Sequence, residues 1–186
     1  MKNNKTLRDI AKLQFGYYAR PDESGSAFYL QVKHFDDSIR FTGEKDAFID
    51  IDKKNEAHIL DEGDILFVGK GNRNFAWAYD KAVGKAIASS IFFVIKPDTN
   101  QVLPEYLTTI LNLPKNQAYF QSLGAGSSIP SIRKSELEMF QVSLPEMSVQ
   151  KKIVELKRMH ELEIQLNDQI AEKKNKLFQE IINQLI

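Results

Sequence analysis

Residues 146–186, EMSVQKKIVELKRMHELEIQLNDQIAEKKNKLFQEIINQLI, contain neither glycine nor proline. The apolar residues of this stretch recur in steps of three and four, the spacing of one face of an α-helix. Pro145 precedes the stretch, and Ser148 is placed to cap the helix. A helix of about 38 residues is ~57 Å long, longer than the diameter of a domain of about 145 residues. Part of it must therefore project from the domain and pair with a partner.

The apolar stripe of this predicted helix indicates a coiled coil, used either for dimerisation or for binding a partner. A gap at Lys173 and Lys174 interrupts the stripe. The residues that we expect in the interface are Leu156, Met159, Leu166, Ile170, Leu177 and Ile181.

The 186 residues, 42% of them hydrophobic, suffice for one globular domain in addition to the helix. The absence of cysteine excludes a disulfide framework and thiol chemistry, and three scattered histidines predict no metal site. Near the N-terminus no apolar run follows the charged residues, so no signal peptide is expected, and no segment approaches the length of a membrane span. The expectation is a soluble cytoplasmic protein without membrane attachment.

The formal net charge is zero, but the charges are unevenly distributed. Residues 36–64 carry four basic and ten acidic side chains, whereas residues 65–134 carry eight basic and three acidic ones. Such segregation allows a neutral protein to present a basic surface to nucleic acid. An equally good interpretation is that folding scatters these charges over the solvent-exposed surface and forms no basic face.

Residues 1–145 predict short strands and helices. Runs of β-branched and aromatic residues predict strands at 27–32, 48–51, 65–68, 76–79 and 91–95. Helices are expected at 7–13, at 105–112 and 114–123 (each after a starting proline), and at 133–138, followed by an extended stretch at 140–145. The sequence thus predicts an α+β domain over residues 1–145 and a long helix over residues 146–186.

Two glycine-containing loops are candidate DNA contacts. The first, Gly-Lys-Gly-Asn-Arg-Asn at 69–74, presents Lys70, Asn72, Arg73 and Asn74, side chains that bind phosphates or base edges. A polar hairpin tip without function is the simpler interpretation, and the glycine spacing excludes a phosphate-binding P-loop.

The second loop, residues 124–130, contains Ser127 and Ser128 and is followed by Arg133 and Lys134, a composition that suits a phosphate contact. A plain connecting loop is an equally good interpretation. Lys85 is a weaker candidate of the same kind.

A third pattern, Asp22 with Asp52 and Lys54, is also found in magnesium-dependent nucleases, where two carboxylates hold the metal. The match is short and lies in an acidic segment, so chance explains it better.

Several short motifs, taken in order, carry a resemblance to a known family. They are Leu-Arg-Asp-Ile at 7–10 with Gly16, Leu-Asp-Glu-Gly-Asp-Ile-Leu at 60–66, the 69–74 loop, Pro-Glu-Tyr-Leu at 104–107, Gly-Ala-Gly-Ser-Ser at 124–128 with Ile129 and Ile132, Leu144-Pro145, and Gln-Lys-Lys-Ile-Val at 150–154. In this order and spacing the chain resembles the specificity subunits of type I restriction-modification enzymes over most of its length.

The resemblance implies a target recognition domain that recognises a few base pairs of double-stranded DNA and a helix that forms a coiled-coil spacer. Specificity subunits of full length carry two such units and this chain carries one, so the resemblance implies a half-subunit that forms a homodimer or pairs with a companion. Arg20 and Lys33, in the basic N-terminal segment, are expected to be secondary DNA contacts.

The family's methylation motifs are absent from this sequence, so a non-catalytic subunit is expected. Its partners would be DNA methyltransferase (modification) subunits and a restriction subunit, and S-adenosylmethionine, ATP and Mg²⁺ would bind only to those partners. The alternative function is a dimeric coiled-coil adaptor that binds proteins and not DNA.

Overall fold

The computed structural model describes residues 3–124 and 130–185, and its secondary structure confirms the predicted α+β class. The strands are β1 (Asn3–Thr6), β2 (Ala11–Phe15), β3 (Ala27–Leu30), β4 (Phe48–Ile49), β5 (Ile65–Val68), β6 (Ala76–Ala78), β7 (Ala86–Ala88), β8 (Phe92–Pro97) and β9 (Gln141–Leu144). The α-helices are α1 (Leu7–Ile10), α2 (Pro104–Leu111), α3 (Pro114–Leu123), α4 (Lys134–Glu138) and α5 (Met147–Leu185).

A four-stranded antiparallel sheet in the order β2-β8-β5-β6 separates two hydrophobic clusters. Along β5, Ile65 and Phe67 pack into the first cluster, whereas Leu66 and Val68 pack into the second. Successive side chains of a strand point to opposite faces, and here both faces are covered. This is why the sequence of β5 is an unbroken apolar run and not an alternating one.

Different elements cover the two faces of this sheet. The first cluster includes residues of α1, α2, α3, α4 and the two-stranded sheet β1-β9. The second includes residues of the three-stranded sheet β4-β3-β7, in which β3 pairs antiparallel with β4 and parallel with β7. A third, smaller cluster contains Tyr29, Ala47, Ile49 and Ile87.

Among the described residues, the contacts of helix α5 with the rest of the chain lie in its first turns. Gln150 is buried, and Ile153 and Val154 pack against the first cluster. From Leu156 onward the apolar side chains are exposed, with Leu156 68% and Leu185 76% accessible. The 39 residues of the helix span ~58 Å. Within the described residues, its apolar face beyond Val154 is uncovered.

The N-terminal segment differs from the prediction of a helix over 7–13. The helix ends at Ile10, and Ala11–Phe15 form a strand paired with β8 in the register Leu13 to Ile95. Ala11 and Leu13 are buried and Lys12 is exposed, the period-two pattern of a strand. Four apolar residues are too few to distinguish a helical from a strand pattern in the sequence. Pairing with β8 makes this segment a strand.

The predicted N-cap at Ser148 is wrong by two residues. The carbonyl of Glu146 accepts hydrogen bonds from the backbone N–H groups of Val149 and Gln150, at 2.9 and 3.0 Å, so the helix begins at Met147. Ser148 lies exposed in the first turn.

Candidate nucleic-acid interface

Three chain segments leave the central sheet at the same end. Strand β2 stops at Phe15, β5 stops at Val68 and β8 starts at Phe92, and the registers place Phe15 opposite Phe93 and Val68 opposite Phe92. We call this region the loop end and define it as residues 15–20, 69–74, 89–91 and 130–134. It contains most of the positions that the sequence analysis selected as DNA contacts.

The two predicted loops adjoin at the loop end through their backbones. The N–H of Gly71 donates to the carbonyl of Pro130 at 2.8 Å, and the N–H of Ile132 donates to the carbonyl of Gly69 at 2.9 Å. Lys70 and Ser131 form a β-bridge between these bonds. Segments some 60 residues apart in sequence are thereby held side by side.

Lys70, Asn72 and Arg133 have exposed side chains at the loop end. Arg133 immediately precedes α4, and its backbone N–H donates to the Glu136 carboxylate at 2.7 Å, which fixes the start of that helix. Lys134 is half-buried, with its ammonium 3.5 Å from the Glu138 carboxylate. The proposed contacts Ser127 and Ser128 lie outside the described residues.

Arg73 is held by the loop that contains Asp36 and Asp37. Its guanidinium Nη2 donates to the backbone carbonyls of Asp36 at 3.0 Å and Asp37 at 2.7 Å, and its Cζ lies 5.1 Å from the centre of the Phe75 ring. The Asp36 carboxylate instead accepts the backbone N–H groups of Arg40 and Ser38, at 2.9 and 2.8 Å, and these bonds lower its pKa. Arg73 thus joins two loops and does not extend freely into solvent.

The prediction that Asn74 projects from the loop is wrong. Its side chain is buried, and its Nδ2 donates to the carbonyl of Val68 at 2.8 Å. This bond closes the β5-β6 hairpin from inside, where a buried carbonyl requires a donor.

Arg20 is exposed and lies between Tyr17, which bridges to Ser89 at the loop end, and Asp22, which bridges to Phe48. Lys33 and Lys85 lie elsewhere. The Lys33 ammonium pairs with the Asp46 carboxylate at 2.6 Å. Lys85 precedes β7, whose opposite end leads into Ser89 at the loop end. The structure therefore does not place Lys33 and Lys85 with the other candidates.

A buried histidine completes the Lys33–Asp46 pair. His34 Nδ1 accepts a hydrogen bond from the backbone N–H of Gln31 at 2.9 Å, so the ring proton resides on Nε2, which donates to Asp46 at 2.8 Å. The hydrogen bonds from Lys33 and His34 lower the pKa of the Asp46 carboxyl to about 2.

Three exposed apolar residues at the loop end are marked by no pattern in the sequence. Phe15 is 53%, Tyr18 76% and Ile91 38% accessible. A single exposed apolar side chain is common on protein surfaces. Phe15 is placed at this end by the sheet register, Ile91 by the hydrogen bond from the Gly69 N–H to its carbonyl, and Tyr18 by the bridge between its neighbour Tyr17 and Ser89.

The nuclease pattern gains no support. The Asp52 carboxylate accepts the backbone N–H groups of Lys54 and Asn55, at 2.8 and 3.1 Å, and so caps its own turn. Across residues 3–124 and 130–185, no group of three or more His, Cys, Asp or Glu side chains is arranged to hold a metal ion. None of the helices described for this chain has the length and apolarity to cross a membrane.

The match to a known family covers most of the chain. Residues 3–177 match the type I restriction modification DNA specificity domain, and the chain therefore belongs to that family. The chain is 29% identical over 115 residues to the type I restriction enzyme HindI specificity subunit of Haemophilus influenzae, which corresponds to 60% of this chain and 25% of that protein.

Solved structures share the fold. An S subunit from M. genitalium superposes with a TM-score of 0.59 at 14% identity, covering 83% of this chain and 37% of that one. The HsdS subunit of Thermoanaerobacter tengcongensis gives 0.60 at 13% identity, with 87% and 37% covered. A chain from a study of assembly and conformational transition in the type I R-M system gives 0.65 at 14% identity, with 94% and 42% covered. This chain thus spans about two fifths of the solved relatives or less.

Proposed function

We propose that this chain recognises DNA sequence as the specificity subunit of a type I restriction-modification enzyme, with the loop end as its DNA-binding surface. Residues 1–145 act as the target recognition domain and residues 146–186 as the spacer helix. The observation that carries the proposal is the backbone pairing of residues 69–71 with residues 130–132, which brings Lys70, Asn72 and Arg133 onto one surface.

Each type of side chain at this surface has a distinct task. The cations Lys70, Arg133 and Arg20 bind phosphates and supply affinity that falls steeply with salt. Asn72, whose amide both donates and accepts, suits the edge of an adenine. Arg73 contributes indirectly, because its bonds to residues 36–37 fix the loop that carries Lys70 and Asn72.

The chain serves as a non-catalytic adaptor in this proposal. Modification and restriction subunits carry the S-adenosylmethionine, ATP and Mg²⁺ chemistry, and the specificity subunit positions them on a two-part target. The described recognition unit and helix contact one half of the target in this proposal, and a second such unit contacts the other half. With two helices antiparallel, the ~58 Å length of α5 limits the half-site centres to about 17 base pairs apart.

Mapping methylated sites genome-wide in cells that express the full chain with its modification subunit tests the function. A recurring two-part palindrome is expected if the chain pairs with itself, and a two-part asymmetric site if it pairs with a companion. The matched control is the Lys70→Ala, Asn72→Ala double variant, for which the same sites should lose methylation. Methylation without any recurring site, or a pattern that does not depend on the specificity chain, would contradict the proposal.

The exposed apolar stripe of α5 favours one alternative, a coiled-coil adaptor that binds proteins and not DNA. Binding to random and to target duplexes distinguishes the two functions. The adaptor would form its protein complex yet bind random and target duplexes equally weakly at all salt concentrations.

A further inference from the structure

One exposed aromatic residue of the loop end, Phe15, packs on the ring of Phe93, which lies against the base of the 69–74 loop. The Phe15 and Phe93 rings lie 5.2 Å apart between centroids. Gly69 packs against the Phe93 ring so closely that a Cβ at this position would be 2.3 Å from Cε2 of Phe93. Phe93 is buried, whereas Phe15 remains 53% accessible. The Phe15 ring is therefore one side chain away from the backbone that presents Lys70.

Tyr18 is presented on a fixed backbone. The N–H of Tyr17 donates to the carbonyl of Ala88 at 2.8 Å, and the hydroxyl of Tyr29 donates to the carbonyl of Tyr17 at 2.7 Å. On the other side, the N–H of Ala19 donates to the same Tyr29 hydroxyl at 3.2 Å. With both neighbours held, ordering the exposed Tyr18 on binding costs mainly its own side-chain entropy.

The charges around these rings indicate their ligand. Lys70 follows Gly69, the residue packed on the Phe93 ring, and Arg20 follows Tyr18 by two residues; both cations are exposed. A surface of this composition binds a ligand with anionic groups beside apolar ones. Duplex DNA has that character, because its phosphates flank grooves where thymine exposes a methyl group.

We propose that Phe15 and Tyr18 contact base pairs of the DNA target and favour thymine through its C5-methyl group. The proposal rests on the DNA-recognition function proposed above and assigns part of its sequence selectivity to side chains that carry no charge. Lys70, Arg20 and Arg133 bind phosphates that are the same in every sequence. The apolar rings discriminate, because burying the thymine methyl against them excludes water that cytosine or uracil would leave in place.

The test replaces thymine by uracil, which differs only in lacking the methyl group. The full chain with its modification subunit first selects its target from a random duplex library. Each thymine of the selected target is then replaced in turn, and binding is measured for wild type, Phe15→Ala and Tyr18→Ala. For wild type, at least one replacement should weaken binding roughly fourfold, the value of one buried methyl group. That difference should vanish in one or both variants.

Three controls separate selectivity from folding and from charge. Phe15→Leu keeps an apolar side chain on Phe93 and should keep part of the thymine preference. Tyr119→Ala removes an exposed aromatic residue that packs beside Phe140 on another element and should leave the preference intact. Lys70→Ala should weaken binding to thymine and uracil duplexes equally.

Two outcomes overturn the inference while the proposed function stands. One is sequence-selective binding by wild type with no thymine-to-uracil effect at any position. The other is an effect that both alanine variants retain. Failure of the wild-type complex to select any sequence would instead contradict the proposed function itself, and this inference with it.

Discussion

The side-chain Oε1 of Gln150 accepts a hydrogen bond from the backbone N–H of Leu103 at 3.0 Å, which joins the first turn of α5 to the start of α2. The Nε2 of the same amide donates to the carbonyls of Gln101 and Pro145, each at 3.0 Å. Gln150 is 1% accessible, and among the described residues Ile153 and Val154 of α5 also pack against the first cluster. The direction in which the long helix leaves the domain is therefore set by one buried amide together with these two apolar contacts.

Replacing Gln150 by leucine should destabilise the fold by about 2–3 kcal/mol, because one buried N–H and two carbonyls lose their partner. Chemical denaturation of the full chain measures this free energy of unfolding. Gln150→Glu is the matched control: its carboxylate still accepts from Leu103 but faces the carbonyls of Gln101 and Pro145. It should be destabilised at neutral pH and recover as acid protonates the new carboxyl. A leucine variant as stable as wild type would contradict this assignment.

The sequence predicts those elements whose pattern is local. The apolar run of β5, the starting prolines of α2 and α3 and the uninterrupted α5 all match their predicted positions closely. In each case the residues of the element itself determine its type of secondary structure or the residue at which it begins. The α+β class and the family follow from the same local features and their order.

The roles of single side chains depend on partners far along the chain, and there the predictions are less complete. Arg73 is held by carbonyls 36 and 37 residues away, and the 69–71 backbone is paired with residues 130–132. Neither partner has a pattern in the sequence around position 70. The buried position of Asn74 follows from the closed hairpin, which the polar composition of the loop conceals.

Lys70→Ala and Arg73→Ala should affect DNA binding by different physical routes. Loss of the exposed Lys70 should leave stability within about 0.5 kcal/mol of wild type, weaken binding similarly for all sequences and reduce the salt slope by about 1. Loss of Arg73 should destabilise the free protein by about 1–2 kcal/mol, because the carbonyls of Asp36 and Asp37 lose their donor. Binding titrations at several salt concentrations, with thermal unfolding of each variant, measure both effects.

Arg73→Lys serves as the control for charge in that comparison. Lysine keeps the positive charge but cannot place one nitrogen on the two carbonyls and a second 3.5 Å from the Asp37 carboxylate. It should therefore resemble Arg73→Ala in stability. If Arg73→Lys binds and unfolds like wild type, charge alone accounts for Arg73, and its structural role is refuted.

The Asp46 carboxyl should make stability depend on pH in the acid range. Its pKa is about 2 in the folded chain, below the ordinary 3.8, because Lys33 and His34 donate hydrogen bonds to the ionised form. A lowered pKa means that folding favours the carboxylate, so the stabilisation is complete above about pH 4 and is lost as the pH falls to 2. Asp46→Asn should lower the melting temperature at pH 7 and lower it progressively less between pH 4 and 2. A difference that stays constant over this range would show that Asp46 does not titrate as described.

The stripe on α5 should determine the assembly of the chain. At 3.6 residues per turn, the six predicted interface residues fall within an arc of about 80° of the helix surface, and each is at least 47% accessible. Ile170→Asp places a charge in the middle of this arc and should convert a dimer to monomer, because pairing would bury that carboxylate without a partner. Gln179→Asp introduces the same charge on the opposite side of the helix and should leave the dimer intact. Sedimentation equilibrium of the full chain distinguishes the two. If Ile170→Asp abolishes the dimer but leaves methylation of the two-part target unchanged, pairing through this stripe does not set the spacing of the half-sites. If it abolishes both the dimer and the methylation, the pairing of two helices sets the spacing of the half-sites.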